Sequence, residues 1–284
     1  MATPALTCRP MRRAELDLAV EWAAAEGWNP GLHDADAFWA ADPEGFWLAE
    51  LGGEPIASIS VVRYGPGFGF LGFYIVRPEW RGQGHGYALW QAGMAHLGDR
   101  CVGLDGVVAQ QDNYRKSGFT LAHRNIRFGA ERIVPPAAAP GITVTPAASL
   151  PFATLAAYDA TCFQAPRDAF LRAWLTLPGH VALAALRGGE VAGFGVLRPC
   201  RQGAKIGPLF ADGAEEAATL FAALVAAAPT GPLFLDVPET HAAALALAQA
   251  AGMAPVFETA RMYTRAAPPV RAERIFGITS FELG

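Results

Sequence analysis

Three glycines alternate with polar residues in Arg81-Gly82-Gln83-Gly84-His85-Gly86, between an apolar run ending at Val76 and another carrying Leu89, Trp90 and Ala92. Read as a strand followed by a helix, the pattern puts bare backbone at a helix N-terminus. The first N–H groups of a helix lack intrahelical acceptors and carry partial positive charge, and glycines let a bulky anion approach them. The ligand this predicts is a pyrophosphate. The dinucleotide fingerprint GxGxxG does not fit, because Tyr87 or Leu89 stands where its third glycine belongs, and the Gly-Lys-Ser/Thr of a P-loop is absent. A glycine-rich turn with no ligand is the plain alternative.

The elements that must hold this loop follow from periodicity and turn chemistry. A strand over 70–76 precedes it, a helix over 84–97 follows, and then come a strand over 103–108, a short helix over 112–117 and a strand over 121–128. Upstream, a short strand and a helical region lead into a hairpin turning at Gly52-Gly53. Alternating strands and helices of this kind predict a mixed α/β (α+β) layer architecture with a largely antiparallel sheet flanked by helices.

The same order occurs twice. WLAELGGEPIASISVVR (Trp47 to Arg63) is similar to ALAALRGGEVAGFGVLR (Ala182 to Arg198). Gly72 pairs with Gly207, and GFTLAHRNIRF from Gly118 pairs with GMAPVFETARMY from Gly252. Two similar domains follow, expected at 1–134 and 142–267, with a Pro/Ala linker at 135–141 and a tail at 268–284. The tail RIFGITSFELG is apolar enough to dock as an extra strand on either domain. In the second copy, Glu216 to Phe221 replace Arg81 to Gly86, and Ala248 stands in place of Tyr114. No glycine survives there, and Glu215 and Glu216 would repel an anion.

The run V-R-P-E-W-R-G-Q-G-H-G (Val76 to Gly86), with Y-R-K-S-G-F (Tyr114 to Phe119) downstream, resembles the GNAT superfamily of N-acetyltransferases in its two-domain form, with an intact first domain and a degenerate second. The resemblance implies acetyl-CoA as co-substrate, with no metal. Its pyrophosphate would lie on the amides of Arg81, Gly82, Gln83, Gly84, His85 and Gly86, and its pantetheine along Ile75 and Val76. An amine would attack the thioester directly, an acyl transfer in which positioning supplies much of the rate. Tyr114 occupies the position of the phenol that protonates the leaving thiolate, a task an ordinary tyrosine suits because it is protonated at neutral pH. The alternative is that Tyr114 packs beneath the coenzyme. Val107 replaces the asparagine of many relatives, with Gln110, Gln111 and Asn113 nearby. His85 serves through its backbone, and His123 is expected on a strand surface.

For the acceptor, Glu26 to Trp39 offers Trp28, His33, Asp34 and Asp36, which could bind or deprotonate a cationic amine. Turn chemistry at Asn29-Pro30-Gly31 and capping by Asp34 explain the same residues without a substrate. Asp105 could act as a base through water, but Leu104-Asp105 recurs as Leu235-Asp236 in the second copy, which favours a structural role.

With 284 residues, 52% of them hydrophobic, and a net charge of −4, the chain builds large cores, and its charge argues against nucleic acid or anionic membrane as partner. Cys8, Cys101, Cys162 and Cys200 are scattered and read as reduced thiols. The N-terminus has charges where a secretion signal needs an apolar core, and no run is long enough to span a membrane, so a cytoplasmic protein is expected. The predicted activity is an acetyl-CoA-dependent N-acetyltransferase acting on a small-molecule or peptide amine. A non-catalytic acyl-CoA-binding or sensing protein is the rival, and an interaction scaffold is a third reading that leaves the loop unexplained.

Overall fold

Paired glycines set the first local structure. Gly52 and Gly53 have φ of 60° and 88°, and Gly188 and Gly189 have 60° and 89°. Two successive positive φ values make the two-residue hairpin turn whose twist matches its strands, and only glycine adopts both without strain. In the computed structural model, which describes residues 5–284, these turns join β2 (Phe46–Leu51) to β3 (Glu54–Tyr64) and β8 (Val181–Arg187) to β9 (Glu190–Pro199).

Around them the two halves repeat element by element. The first contains β1 (Leu6–Pro10), α1 (Arg13–Ala25), α2 (Asp34–Ala41), the β2–β3 hairpin, β4 (Phe68–Val76), α3 (His85–Leu97), β5 (Cys101–Val107), α4 (Gln111–Lys116) and β6 (Thr120–Ala130). The second contains β7 (Ile142–Pro146), α5 (Phe152–Cys162), α6 (Asp168–Trp174), the β8–β9 hairpin, β10 (Ala204–Ala211), α7 (Ala214–Ala226), β11 (Leu233–Pro238), α8 (Ala242–Ala250) and β12 (Ala254–Tyr263). The mixed architecture read from the sequence is the one observed.

The halves are not side by side but sewn together. The sheet runs β1-β2-β3-β4-β5-β12-β6-β11-β10-β9-β8-β7, so β12 of the second half lies against β5 of the first, and β6 lies against β11. Each half thus lends its last strand to the other. Two related ion pairs mark the exchange: Asp105 on β5 meets Arg261 on β12 at 2.6 Å, and Asp236 on β11 meets Arg127 on β6 at 2.7 Å, all four side chains buried. Both arginines also hydrogen-bond their aspartates through a second nitrogen, which satisfies the carboxylates in a setting where an unpaired charge would be costly.

The tail continues past β12 to a short strand, β13 (Ile275–Gly277), antiparallel to β10, with the Ile278 amide donating to the Asp236 carbonyl at 2.9 Å. It docks as an extra strand, and on the second half. It then returns to the first half, where Tyr64 donates its hydroxyl to the Leu283 carbonyl at 3.1 Å. Apolar side chains from α1, α2, β2–β4 and α6 share one core, including Leu16, Phe38, Phe46, Phe73 and Trp174, so the interface between halves is continuous hydrophobic interior.

Candidate functional site

The glycine loop has the geometry that bare backbone was expected to give. Gly82 and Gly84 sit at φ of 73° and 83°, backbone that glycine adopts without strain, and Gly84 caps α3. Gly86 serves a different purpose, since a Cβ there would lie 2.6 Å from the Val76 side chain and 2.9 Å from the Tyr74 hydroxyl. Its bareness lets the first turn of α3 seat against β4. The N–H groups from Gly82 to Gly86 find no backbone acceptor.

From this loop a cleft of about 430 Å³ runs along β4. It exists because β4 and β5, parallel neighbours, pair only from Phe68 with Cys101 to Leu71 with Leu104 and then part. Beyond Leu71, β4 carries an irregular register against β3, with Phe73 at φ 45° and its carbonyl held by the Ser58 hydroxyl at 2.8 Å. A bulky residue at positive φ is strained, by about 1–3 kcal/mol, and this one lies where the two strands diverge. Ile75, Val76, Arg81, Gly82, Gly84 and Gly86 line the cleft. Gln83 and His85 do not: Gln83 donates its side chain to the Glu79 carbonyl at 3.1 Å, and His85 packs edge-on to Trp80. Arg81 is half-exposed, its Nε bonded to the Val76 carbonyl at 2.8 Å and its other end paired with Glu26.

Tyr114 enters the cleft from α4. Its ring stacks on Trp90 of α3 at 5.8 Å and covers Gly106 of β5. Burial, with Tyr74 nearby, pushes its pKa up to about 12, so the hydroxyl keeps its proton throughout the neutral range. Tyr74 is a second cleft phenol that the sequence pattern does not single out, and burial likewise pushes it up to about 12. It sits one residue past the strained Phe73, at a position that strand alternation alone does not mark as functional.

The acceptor candidates separate. Trp28 lines the cleft, and its carbonyl accepts from Arg127 at 3.0 Å and Lys205 at 3.1 Å. Asp34 does not face the cleft: it is buried, closes the turn by accepting from the Gly31 amide at 2.9 Å, and lies 3.3 Å from Arg198 of β9. Asp36 is on the outer face paired with Arg13, and His33 precedes α2, accepting from the Asp36 amide through its carbonyl at 3.2 Å and making no side-chain cap. Neither lines the cleft. Asp105 does, but its carboxylate is held by Arg261 and by Asn125, which donates at 2.8 Å, so it serves the ion pair that joins the halves. His123 is half-buried on β6 rather than exposed, and burial lowers its pKa.

Sequence reasoning also missed the tail. Phe281 and Glu282 line the cleft beside Phe257 and Thr259 of β12, and a Cβ on Gly72 would lie 2.1 Å from the Glu282 carbonyl oxygen. The signal present in the sequence was a lone carboxylate in an otherwise apolar stretch.

In the second half the corresponding space is filled. β10 and β11 pair in parallel from Ala204 to Ile206 and then part, as β4 and β5 do, but β13 occupies the gap. At the start of α7, Glu216 is buried and paired with Arg187. Ala248, in place of Tyr114, is fully buried in α8. Among the described residues no group of three or more His, Cys, Asp or Glu could hold a metal, and no helix is long and apolar enough to cross a membrane.

A loop of bare amides at a helix start, opening onto two diverging parallel strands, can seat a long phosphorylated thioester. Residues 13–119 match the model of the acetyltransferase (GNAT) family, and residues 155–277 match the acetyltransferase (GNAT) domain. Over 279 residues the chain is 32% identical to a protein named holothin acyltransferase from Pseudoalteromonas sp. (strain SANK 73390), covering 98% of this chain and 94% of that one. The chain belongs to the GNAT family. It is a two-domain GNAT acyltransferase, and solved structures share the fold. A Pyrococcus horikoshii protein solved as a candidate acetyltransferase superposes with a TM-score of 0.83 at 18% identity, covering 100% of this chain and 98% of that one. A tandem GNAT protein from the clavulanic acid biosynthesis pathway gives 0.64 at 16% identity, with 93% and 99% covered. A GCN5-related N-acetyltransferase from Sphaerobacter thermophilus gives 0.63 at 18%, with 95% and 99% covered.

Proposed function

We propose that the protein transfers an acyl group, acetyl in the first instance, from coenzyme A to a primary amine of a small molecule or peptide. The observation that carries this is the continuity of the cleft from the unpaired amides of Gly82 to Gly86, along the open edge of β4, to the buried hydroxyl-bearing ring of Tyr114. The amides would hold the pyrophosphate, and the β4 backbone at Ile75 and Val76 would pair with the pantetheine amides as a missing strand would. Tyr114 would deliver a proton to the leaving sulfur, and its raised pKa keeps the hydroxyl protonated at neutral pH until the thiolate forms. Holding amine and thioester in reacting geometry supplies much of the rate. Because the relative at 32% identity is named for holothin, holothin is the first acceptor to test.

The test is purified protein with acetyl-CoA and longer acyl-CoAs, offered holothin and a panel of primary amines. Release of free thiol and the mass of the product are followed together. Turnover with a product heavier by the acyl group supports the reading. Tight acyl-CoA binding with no transfer to any acceptor would instead make the protein an acyl-CoA sensor.

A further inference from the structure

The tail passes over both glycines that the internal repeat pairs. At Gly207 a Cβ would lie 2.6 Å from the Thr279 carbonyl oxygen, and at Gly72 it would lie 2.1 Å from that of Glu282. One short segment therefore seals the strand gap of the second half and then walls that of the first. It is pinned where it crosses: Arg198 donates to the Thr279 carbonyl at 3.0 Å, Arg167 to the Thr279 hydroxyl at 2.9 Å, and Tyr64 to the Leu283 carbonyl. A wall held by both halves can place a side chain with accuracy.

The side chain it places is Glu282, 3% exposed and lining the cleft, whose Oε2 is buried and accepts no hydrogen bond. The other buried carboxylates around it each hold at least one hydrogen bond, although Asp34 Oδ1 also has none and faces Arg198 at 3.3 Å. Asp236 is bound to Arg127, Asp105 to Arg261, and Asp34 to the Gly31 amide. A buried carboxylate oxygen without a hydrogen bond is costly, and such atoms in native proteins call for an explanation. Its backbone crosses Gly72 at the point where β4 leaves β5, on the wall of the same cleft that the amide loop opens into.

We propose that Glu282 receives the acceptor: its carboxylate binds the incoming ammonium and takes the proton that must leave before the nitrogen can attack. This rests on the acyl-transfer reading above and adds the base that reading lacks. In the step, an N–H bond of the ammonium breaks and its proton goes to Glu282. The freed nitrogen pair forms the C–N bond at the thioester carbonyl. The C–S bond breaks with its electrons on sulfur, which takes a proton from Tyr114, and Tyr114 is restored by the second proton shed from nitrogen. The proton on Glu282 returns to solvent, so amine and thioester give amide and thiol with nothing left over.

Charges facing Glu282 come from several elements, Arg127 on β6, Arg198 on β9 and Lys205 on β10, and these cations also face Asp236 on β11 and Asp34 on α2. Three buried cations against two aspartates leave room for a purely neutralising role for Glu282, and the test must distinguish that from proton transfer. Glu282→Gln, Glu282→Asp and wild type are compared from pH 6 to 9 with acetyl-CoA and the fastest acceptor among a panel of primary alkylamines, which are ammonium ions near neutral pH. Coenzyme affinity and thermal unfolding are measured on the same samples. The expected result is Glu282→Gln with unchanged coenzyme affinity and kcat/KM for the amine reduced about 10² to 10⁴-fold near neutral pH, the range of general base effects, with the deficit shrinking towards pH 9 as the amine loses its proton unaided. Glu282→Asp should recover part of the loss. A folded Glu282→Gln protein that matches wild type, or one slowed equally at every pH and merely less stable, overturns the proposal while leaving acyl transfer intact. If wild type itself acylates no amine, both readings fall.

Discussion

The ring of Tyr114 lies so close over Gly106 that a Cβ built on that glycine would stand 2.1 Å from Cε2. Strand β5 is therefore cut away beneath the phenol, and the ring occupies the gap between β5 and Trp90. Two substitutions test this seat from opposite sides. Tyr114→Phe keeps the packing and removes the hydroxyl, so kcat should fall about 10² to 10⁴-fold while coenzyme affinity barely changes. Gly106→Ala should move the ring, lower kcat by a similar factor, and cost about 1–3 kcal/mol of stability through overpacking. Steady-state kinetics with burst analysis, paired with urea unfolding, reads both. Wild-type turnover by Tyr114→Phe when chemistry limits the cycle would remove Tyr114 as the acid.

A Cβ on Gly84 would meet no atom within 4 Å, yet the φ of 83° there is strained for other residues. Gly84→Val should therefore fold, at a cost of about 1–2 kcal/mol, and lose coenzyme affinity because the branched side chain or the altered turn spoils the amide array. Calorimetric titration with coenzyme A is the check, and a folded variant with unchanged Kd would contradict the loop's assigned role.

What the sequence disclosed and what it withheld differ in range. The loop and the hairpin turns were legible because omitting a side chain is a local instruction: Gly52-Gly53 and Gly82-Gln83-Gly84 dictate backbone conformation without reference to the rest of the chain. The strand exchange was not legible, because β6 and β12 look like strands in either arrangement and the choice of neighbour is made over more than a hundred residues. One trace of it was present in the recurrence of Leu104-Asp105 as Leu235-Asp236, which the ion pairs to Arg261 and Arg127 now explain. Asp34 resembled an acceptor-site residue because its charge is visible in sequence and its burial against Arg198 is not. Glu282 was overlooked for the converse reason, since only the path of the tail brings it to Gly72.

The filled gap between β10 and β11 gives a stoichiometry. With β13 paired along β10 and Glu216 at the head of α7, the second half offers neither open strand edge nor anion site. Coenzyme A should titrate to one equivalent per chain, and saturation near two would show that the second half binds despite its plug.

The two exchanged ion pairs predict a pattern rather than a single value. Arg261→Met leaves Asp105 buried without its partner and should cost about 3–5 kcal/mol, as should Arg127→Met for Asp236. Replacing both members of one pair with apolar residues of similar size should cost much less, because no buried charge is left alone. Urea denaturation of single and double variants measures the coupling. Equal losses for single and double variants would mean that the pairs contribute packing alone.

Lys205 supplies a pH signature that belongs to the core between the halves. It is buried, donates to the Trp28 carbonyl, and burial lowers its pKa from 10.5 to about 8, with Arg127 adding to the effect. In the unfolded chain the amine stays protonated up to pH 10.5, whereas in the folded protein it loses its proton near 8. Between those values the unfolded state binds more protons, so stability rises with pH there, by about 1.4 kcal/mol per pH unit from this group. Below pH 8 both states are protonated and the folded state carries the full penalty of the buried ammonium. Lys205→Met should therefore be more stable than wild type at about pH 7, and the difference should shrink between about pH 8 and 10. Chemical denaturation of both proteins across that range tests it, with the difference between them cancelling the other groups that titrate. A difference that stays constant with pH would mean that Lys205 keeps an ordinary pKa in the fold.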